Sequence, residues 1–433
     1  MARIGCVWRL SAVSLAAAGG AFKISREISS KTKETTPESN LELVLVQMTF
    51  RHGARTPVFR PPCEELELVT WTADLLGTLP HTDVAYELKH VSGGPCPVSE
   101  SKERLLKRLL KGGIPAGQLT KVGQQQMYEL GKKRGKLYVD NLKFLQETYH
   151  PEEIYTRTSD FQRTIDSARC VLAGMFGKER LKELTMYTEH EEKEFLYPNV
   201  SHCKALKNCW KYFLHAKGLD HIKGFYDRQE KLEQALNLNG DNKLSSIHLK
   251  DIVSAMMAHN MEVPKNILQN LNLIEEQALQ LFLSLQYGVN LGNSKKIFSL
   301  GIGLFLEHIM DNFIKKIDGK HNYKMMLYSA HDVTLAPILM LLGVLDDKWP
   351  DFAADIAFEL YRDKDRQYYI RVLYKGEEKV LPGCSGPLCP LNKLSVTCND
   401  GVGDDGDVDY LDTNKACNEK NGKGNDCHLG IDG

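Results

Sequence analysis

No charge of one sign dominates this 433-residue chain: 55 lysines and arginines face 56 aspartates and glutamates, a formal net charge of −1. A whole-chain field that would draw in nucleic acid or an anionic membrane is therefore missing. Long apolar runs are missing too. Residues 10–22 are weakened by glycines and are too short to span a bilayer, and residues 298–317 are interrupted by Glu307 and His308. No transmembrane segment is expected. The eleven cysteines are odd in number and irregularly spaced, which excludes a small disulfide scaffold. Cys417, Cys427 and His428 lack zinc spacing. Asp405, Asp407 and Asp409 alternate like the opening of a calcium loop, but the required glycine and closing glutamate do not follow. No internal repeat is present. What remains is an ordinary globular composition, 42% hydrophobic and 26% charged, long enough for two or three domains.

The two ends differ from the middle. Residues 1–40 carry Arg3, Arg9, Lys23 and Arg26 with no acid before Glu27, and serine and alanine are frequent. An acid-poor, basic start of this kind fits a mitochondrial transit peptide, with a secretory signal as its rival. The sequon Asn199-Val200-Ser201 matters only on the secretory route. Residues 392–433 are acidic and rich in Gly and Asp, the composition of a disordered tail.

Between the ends, patterns alternate. Residues 42–50 (ELVLVQMTF) read as a strand buried on both faces, stopped by the glycine and prolines that follow. Residues 119–138 are helical in pattern, with Thr120 as cap. A short strand at 153–156 leads to Arg157. The next helix carries Phe161, Ile165, Ala168, Leu172 and Met175 on one face, with Ser159 and Gln162 as its capping box. Further strands are expected at 184–188, 324–330, 354–361 and 368–374, the last two as an antiparallel hairpin at the sheet edge. A short helix at 333–342 is closed by Gly343. Residues 189–295 show amphipathic helix and no convincing strand. The order implies an α/β core (41–188 and 296–391) interrupted by a smaller helical cap. Met256, Met257 and Met261 fall at helical spacing and read as packing, while Cys384 and Cys389 bracket a turn and are placed for a short bridge or for two free thiols.

The unusual polar residues fall at strand ends. Arg51-His52 follows the first strand, Arg157 the second, and His331-Asp332 the strand at 324–330. The carboxyl ends of parallel strands open into a common crevice, so three clusters distant in sequence would face one cavity. Arg51, Arg55 and Arg157 stay charged at any biological pH and suit oxyanions. Left unpaired near a core they require an anionic ligand, or else carboxylate partners such as Asp160 or Asp166. In the stretch QMTFRHGARTP, Arg51 and Arg55 flank His52, which favours the neutral imidazole.

These stretches resemble a known family. "RHGARTP" is similar to the RHGxRxP signature of the histidine acid phosphatases, and "SAHDVT" to that family's later His-Asp motif; "TRTSDFQRTIDSARCVLAGMF" resembles its third arginine and following helix. The resemblance implies a phosphoglycerate-mutase-like mixed sheet flanked by helices, with a helical cap. It also implies a nucleophilic His52 forming a phosphohistidine, Arg51, Arg55, Arg157 and His331 around the phosphate, and Asp332 protonating the departing alcohol. No metal or other cofactor is called for, since arginines supply the positive charge. "KGGIPAGQLTKVGQQQM", "FLYPN" and "PGCSGPLCPL" are similar to members that act on lysophosphatidic acid, which implies a small lysophospholipid monoester as partner and a mitochondrial location; the oligomeric state is left open, with a monomer favoured. Another phosphomonoester (an inositol phosphate or phosphotyrosine), an inactive phosphate-binding descendant and mutase-like transfer within one substrate are the alternatives.

Overall fold

The structure is a computed structural model that describes residues 41–393 except 95, 97–99, 215–218, 221, 239–243, 288–298 and 347. The expected targeting segment and the aspartate and cysteine motifs of the tail lie outside the described residues.

Nine strands are present among the described residues: β1 (Leu41–Arg51), β2 (Tyr86–His90), β3 (Ile154–Thr158), β4 (Leu184–Thr188), β5 (Met325–Ala330), β6 (Asp355–Asp363), β7 (Tyr368–Tyr374), β8 (Glu377–Lys379) and β9 (Leu388–Pro390). They form one mixed sheet in the order β2-β4-β3-β5-β1-β6-β7-β8, with β9 also on β7. From β2 to β1 neighbours run parallel. From β1 to β8 they run antiparallel.

The central strand is buried without a break from Leu45 to Arg51, as a strand covered on both faces must be. Val46, Met48 and Phe50 pack with Met127, Leu130, Ala168 and Leu172 of the Lys121–Gly135 and Gln162–Phe176 helices. On the opposite face Leu45 and Tyr328 pack with Phe305, Ile309 and Leu335 of the Leu304–Ile317 and Asp332–Leu341 helices. Gln47 sits in the middle of this core with its amide satisfied: Nε2 donates to the Ile309 carbonyl at 2.7 Å, and Oε1 accepts from Asn312 and Tyr328.

Two expectations need correction, and one strand had no expectation. The β6–β7 hairpin is not the edge, because β8 and β9 pair outside β7. Strand β2 lies in a segment whose polar sequence shows no strand pattern, and it is held in place by parallel pairing with β4. The Gln162–Phe176 helix has Phe161 at its N-cap with no side-chain cap, so Ser159 is free for another role. Thr120 does cap as expected, accepting from the Gly123 amide at 3.2 Å.

Between β4 and β5 the described residues hold helices and no strand. Helices Phe225–Leu236, Ser245–Ala258 and Leu271–Tyr287 share a core of Leu232, Leu249, Val253, Met256 and Ile274 that also covers Leu66, Trp71 and Ile114. Met256 and Met261 pack there, whereas Met257 is 49% exposed. Cys384 and Cys389 are joined as a disulfide.

Candidate active site

The parallel strands end level. Arg51 of β1 pairs in register with Ala330 of β5, and Thr158 of β3 with Ser329. His52, Ser159 and His331, the next residues of the three chains, therefore leave the sheet at the same edge. The signature glycine is dictated by contact: a Cβ on Gly53 would sit 2.3 Å from the Gly123 carbonyl oxygen, and one on Gly123 would sit 2.1 Å from that of Ala54. The signature loop thus lies directly against the start of the Lys121–Gly135 helix.

His52 is 1% exposed. Its Nδ1–H donates to the Gly53 carbonyl at 2.9 Å, because a carbonyl only accepts. Nε2 is left with its lone pair. Burial, then the guanidiniums of Arg163, Arg55 and Arg51, push the imidazole pKa well below its usual value. The neutral ring is thereby favoured, the state a nucleophile needs.

Arg51 is held by the Pro350 carbonyl at 2.6 Å and by Asp332 Oδ2 at 2.6 Å, with Phe352 stacked 4.1 Å from its guanidinium carbon. Arg55 is held at 2.8 Å by Asp251 of the Ser245–Ala258 helix. The other oxygen of Asp251 accepts from the backbone N–H groups of Val58 and Phe59, at 2.8 and 3.2 Å.

Arg157 is the expectation that fails. Alternation along β3 turns its side chain to the same sheet face as its register partner Tyr328. There it meets Glu194, with Nη2 2.9 and 3.0 Å from the two carboxylate oxygens, and it also donates to the Thr158 carbonyl. The pair is sealed, at 2% and 0% side-chain exposure. Its charge is cancelled inside the core, and Arg157 does not face the crevice.

Arg163 stands there instead, in the first turn of the helix that follows β3. It is 9% exposed, its Nε is buried without a partner, and among the described residues its guanidinium makes no hydrogen bond or ion pair. Only the Phe161 ring lies under it, 4.2 Å away. Burial and Arg55 push its pKa down to about 9, so it remains a cation at neutral and acidic pH. A desolvated, unpaired guanidinium beside a neutral imidazole is an arrangement that an anion completes.

His331 and Asp332 begin the Asp332–Leu341 helix. The His331 ring centroid is 5.5 Å from that of His52, and its Nε2 is 2.9 Å from Ser159 Oγ, the role that frees Ser159 from capping. Burial, then Arg163, push its pKa well down. Asp332 Oδ1 accepts from the Val333 amide at 2.8 Å, and Oδ2 accepts from Trp349 Nε1 at 2.9 Å in addition to Arg51. Burial alone would raise its pKa; Arg51 and Arg55 outweigh that and hold it at about 2.

Five of the six expected residues thus surround one space: His52, Arg51, Arg55, His331 and Asp332. Sequence reasoning missed Arg163, Asp251, Ser159 and Trp349. Arg163 had a signal, being the second arginine of TRTSDFQRT and the one inside the helix pattern. Asp251 and Trp349 had none.

Comparison with known proteins agrees with this geometry. The histidine phosphatase superfamily (branch 2) matches residues 42–375. Lysophosphatidic acid phosphatase type 6 of Mus musculus is 36% identical over 362 residues, 82% of this chain and 84% of that protein. The Homo sapiens protein of the same name is 34% identical over 367 residues, 83% and 84%. Prostatic acid phosphatase of Homo sapiens is 24% identical over 86% of this chain and 89% of its own. Among solved structures, the apo form of Hafnia alvei phytase superposes with a TM-score of 0.55 at 13% identity, over 85% of this chain and 98% of that one, which shows a shared fold. By its sequence and its fold this chain belongs to the histidine phosphatase superfamily, branch 2.

Proposed function

We propose that this histidine acid phosphatase, a phosphoric monoester hydrolase, converts lysophosphatidic acid to monoacylglycerol and inorganic phosphate through a phosphohistidine at His52. The observation that carries the chemistry is the neutral Nε2 of His52 surrounded by Arg51, Arg55 and the unpaired Arg163. The relatives named lysophosphatidic acid phosphatase type 6, alike over four-fifths of both chains, support the substrate.

The phosphoryl group enters with its equatorial oxygens toward Arg51, Arg55, Arg163 and His331, where charge spreads in the transition state. His52 Nε2 forms the P–N bond as the bond from phosphorus to the glycerol oxygen breaks. Asp332 gives that oxygen a proton, so that an alcohol rather than an alkoxide leaves.

In the free enzyme Asp332 is ionised, held at about 2 by two arginines. Its proton therefore arrives with the substrate, as the monoanion of the phosphate ester, whose second ionisation lies near pH ~6. The bound phosphate also draws Arg51 and Arg55 away from Asp332, which raises the carboxyl pKa and lets it take that proton. Water then attacks phosphorus opposite His52, Asp332 accepts a proton from it, and the P–N bond breaks to release phosphate. Activity accordingly favours acidic pH, where the substrate is still protonated and the lowered pKa of His52 favours its neutral ring.

The test compares lysophosphatidic acid with a panel of soluble monoesters, including p-nitrophenyl phosphate, in wild type and His52→Ala. The variant should fall to background on all of them. Alkaline quenching during turnover should trap acid-labile phosphate on His52. Near-normal turnover by His52→Ala would remove the nucleophile assignment, and equal kcat/KM for glycerol 3-phosphate and lysophosphatidic acid would remove the substrate.

A further inference from the structure

The Ser245–Ala258 helix grips the signature loop twice. Asp251 takes Arg55 and the backbone of Val58 and Phe59. His259, the residue that ends the same helix, takes Thr120. Its Nε2 lies 2.8 Å from Thr120 Oγ1, and its Nδ1–H donates to the Ala255 carbonyl at 2.6 Å. The Trp71 ring meets the imidazole edge-on, with the centroids 5.8 Å apart.

Thr120 carries this contact into the site. Its amide donates to the Ala54 carbonyl at 3.1 Å and the Thr56 amide donates to the Gln118 carbonyl at 3.0 Å, so that Arg55 and Leu119 bridge antiparallel. The Thr120 hydroxyl oxygen accepts from the Gly123 amide and also lies 3.1 Å from the Ala54 carbonyl oxygen. Two acceptors, that oxygen and the lone pair on His259 Nε2, therefore compete for one hydroxyl hydrogen while the ring is neutral, because Nδ1 then holds the only ring proton. Protonation removes the conflict. Nε2–H donates to Thr120, and the hydroxyl hydrogen goes to Ala54, whose carbonyl belongs to the peptide that leads into Arg55.

We infer that His259 is a positioning residue for phosphate-ester hydrolysis: acting through Thr120, its imidazolium holds the Ala54–Arg55 peptide and so aims the Arg55 guanidinium. The inference rests on Arg55 facing the phosphate, and not on which monoester is the substrate. Trp71, Thr120 and Ala255 face the ring and carry no charge; Asp251, further back on the same helix, is paired with Arg55. Burial lowers the ring pKa and the Ala255 carbonyl opposes it, as does the end of the helix, where a cation is favoured. The hold is strongest in acid and weakens as the ring loses its proton.

The experiment measures kcat/KM for p-nitrophenyl phosphate from acidic to neutral pH, with thermal melts to establish folding. His259→Phe keeps a ring against Trp71 and removes both nitrogens, so kcat/KM in acid should fall about tenfold, the loss of one hydrogen bond. Adding Thr120→Val should cost little beyond the larger single loss, since both changes break one chain of contacts. His259→Gln offers Thr120 an amide N–H at every pH. It should recover most of the activity in acid, and the ratio of its kcat/KM to that of the wild type should climb about threefold or more toward neutral pH as the wild-type ring deprotonates. A folded His259→Phe with wild-type kcat/KM, or losses that simply add to those of Thr120→Val, overturns the inference. Where His259→Phe does not fold, His259→Gln decides alone: a ratio flat with pH makes the histidine packing only. With His52→Ala inactive, each of these refutations leaves the phosphatase reading standing.

Discussion

Arg157 and Arg163 lie six positions apart in one motif, and the structure gives them opposite consequences when lost. Arg157→Ala removes one half of a sealed ion pair and strands Glu194, whose side chain is 0% exposed, without its cation. Breaking a buried pair in this way costs roughly 3–5 kcal/mol, which lowers Tm on the order of 5–10 °C for a domain of this size. The phosphate-facing residues are untouched, so kcat/KM of the folded enzyme stays within about twofold to threefold of wild type, as for a change outside the reacting groups. Arg163→Ala strands nothing, since its guanidinium has no partner among the described residues, and it relieves a desolvated charge. Tm should hold or rise. Turnover should fall about 10²- to 10³-fold, the usual loss for one donor to the transition-state charge. A second readout follows from the electrostatics. After burial, Arg163 contributes most to keeping His52 neutral. Without it the His52 pKa rises, and the acid limb of kcat/KM moves to higher pH. Differential scanning fluorimetry and pH-dependent kinetics on both variants decide the question. A folded Arg157→Ala with wild-type Tm and the larger kinetic loss would refute the reasoning.

Other consequences concern the groups that hold the reacting residues. Asp251→Asn keeps the backbone contacts to Val58 and Phe59 but weakens the grip on Arg55, so KM for phosphate esters should rise about threefold to tenfold, with Asp251→Glu recovering part of the loss; an unchanged KM would show that Arg55 needs no such support. Trp349→Phe deletes the hydrogen bond that helps keep Asp332 ionised, so the alkaline limb of kcat should shift upward, by about half a unit; an unmoved limb would separate Trp349 from the acid. Asp332 also links stability to pH. Its folded pKa of about 2 lies below the ordinary 3.8, so it contributes roughly 2 kcal/mol that is present above about pH 4 and lost as pH falls through 2. Thermal melts between neutral and strongly acidic pH should therefore fall more steeply for wild type than for Asp332→Asn, and parallel curves would contradict the ion pair with Arg51.

Much of this protein was legible in one dimension. The apolar run at 42–50, the returning strand before His331 and the helix face running from Phe161 to Met175 are local patterns, and local burial reproduces them in the fold. The signature loop was legible because two arginines flank one imidazole, whereas its glycine answers a tertiary contact with Gly123 that the sequence did not show. The choice between the two arginines of TRTSDFQRT was not. It depends on which sheet face an odd or even position of β3 takes, and on Glu194 arriving from 37 residues away to cancel the charge. Strand β2 was equally hidden, because its pairing with β4 rather than its own sequence makes it a strand. Asp251 reaches Val58 across 193 positions, and Trp349 reaches Asp332 from the loop beyond its helix. Local sequence sets which segments become strand, helix and turn through side-chain period and backbone restriction. Which charges meet is decided by the packed chain, because a carboxylate placed by tertiary structure can either quench an arginine or aim it.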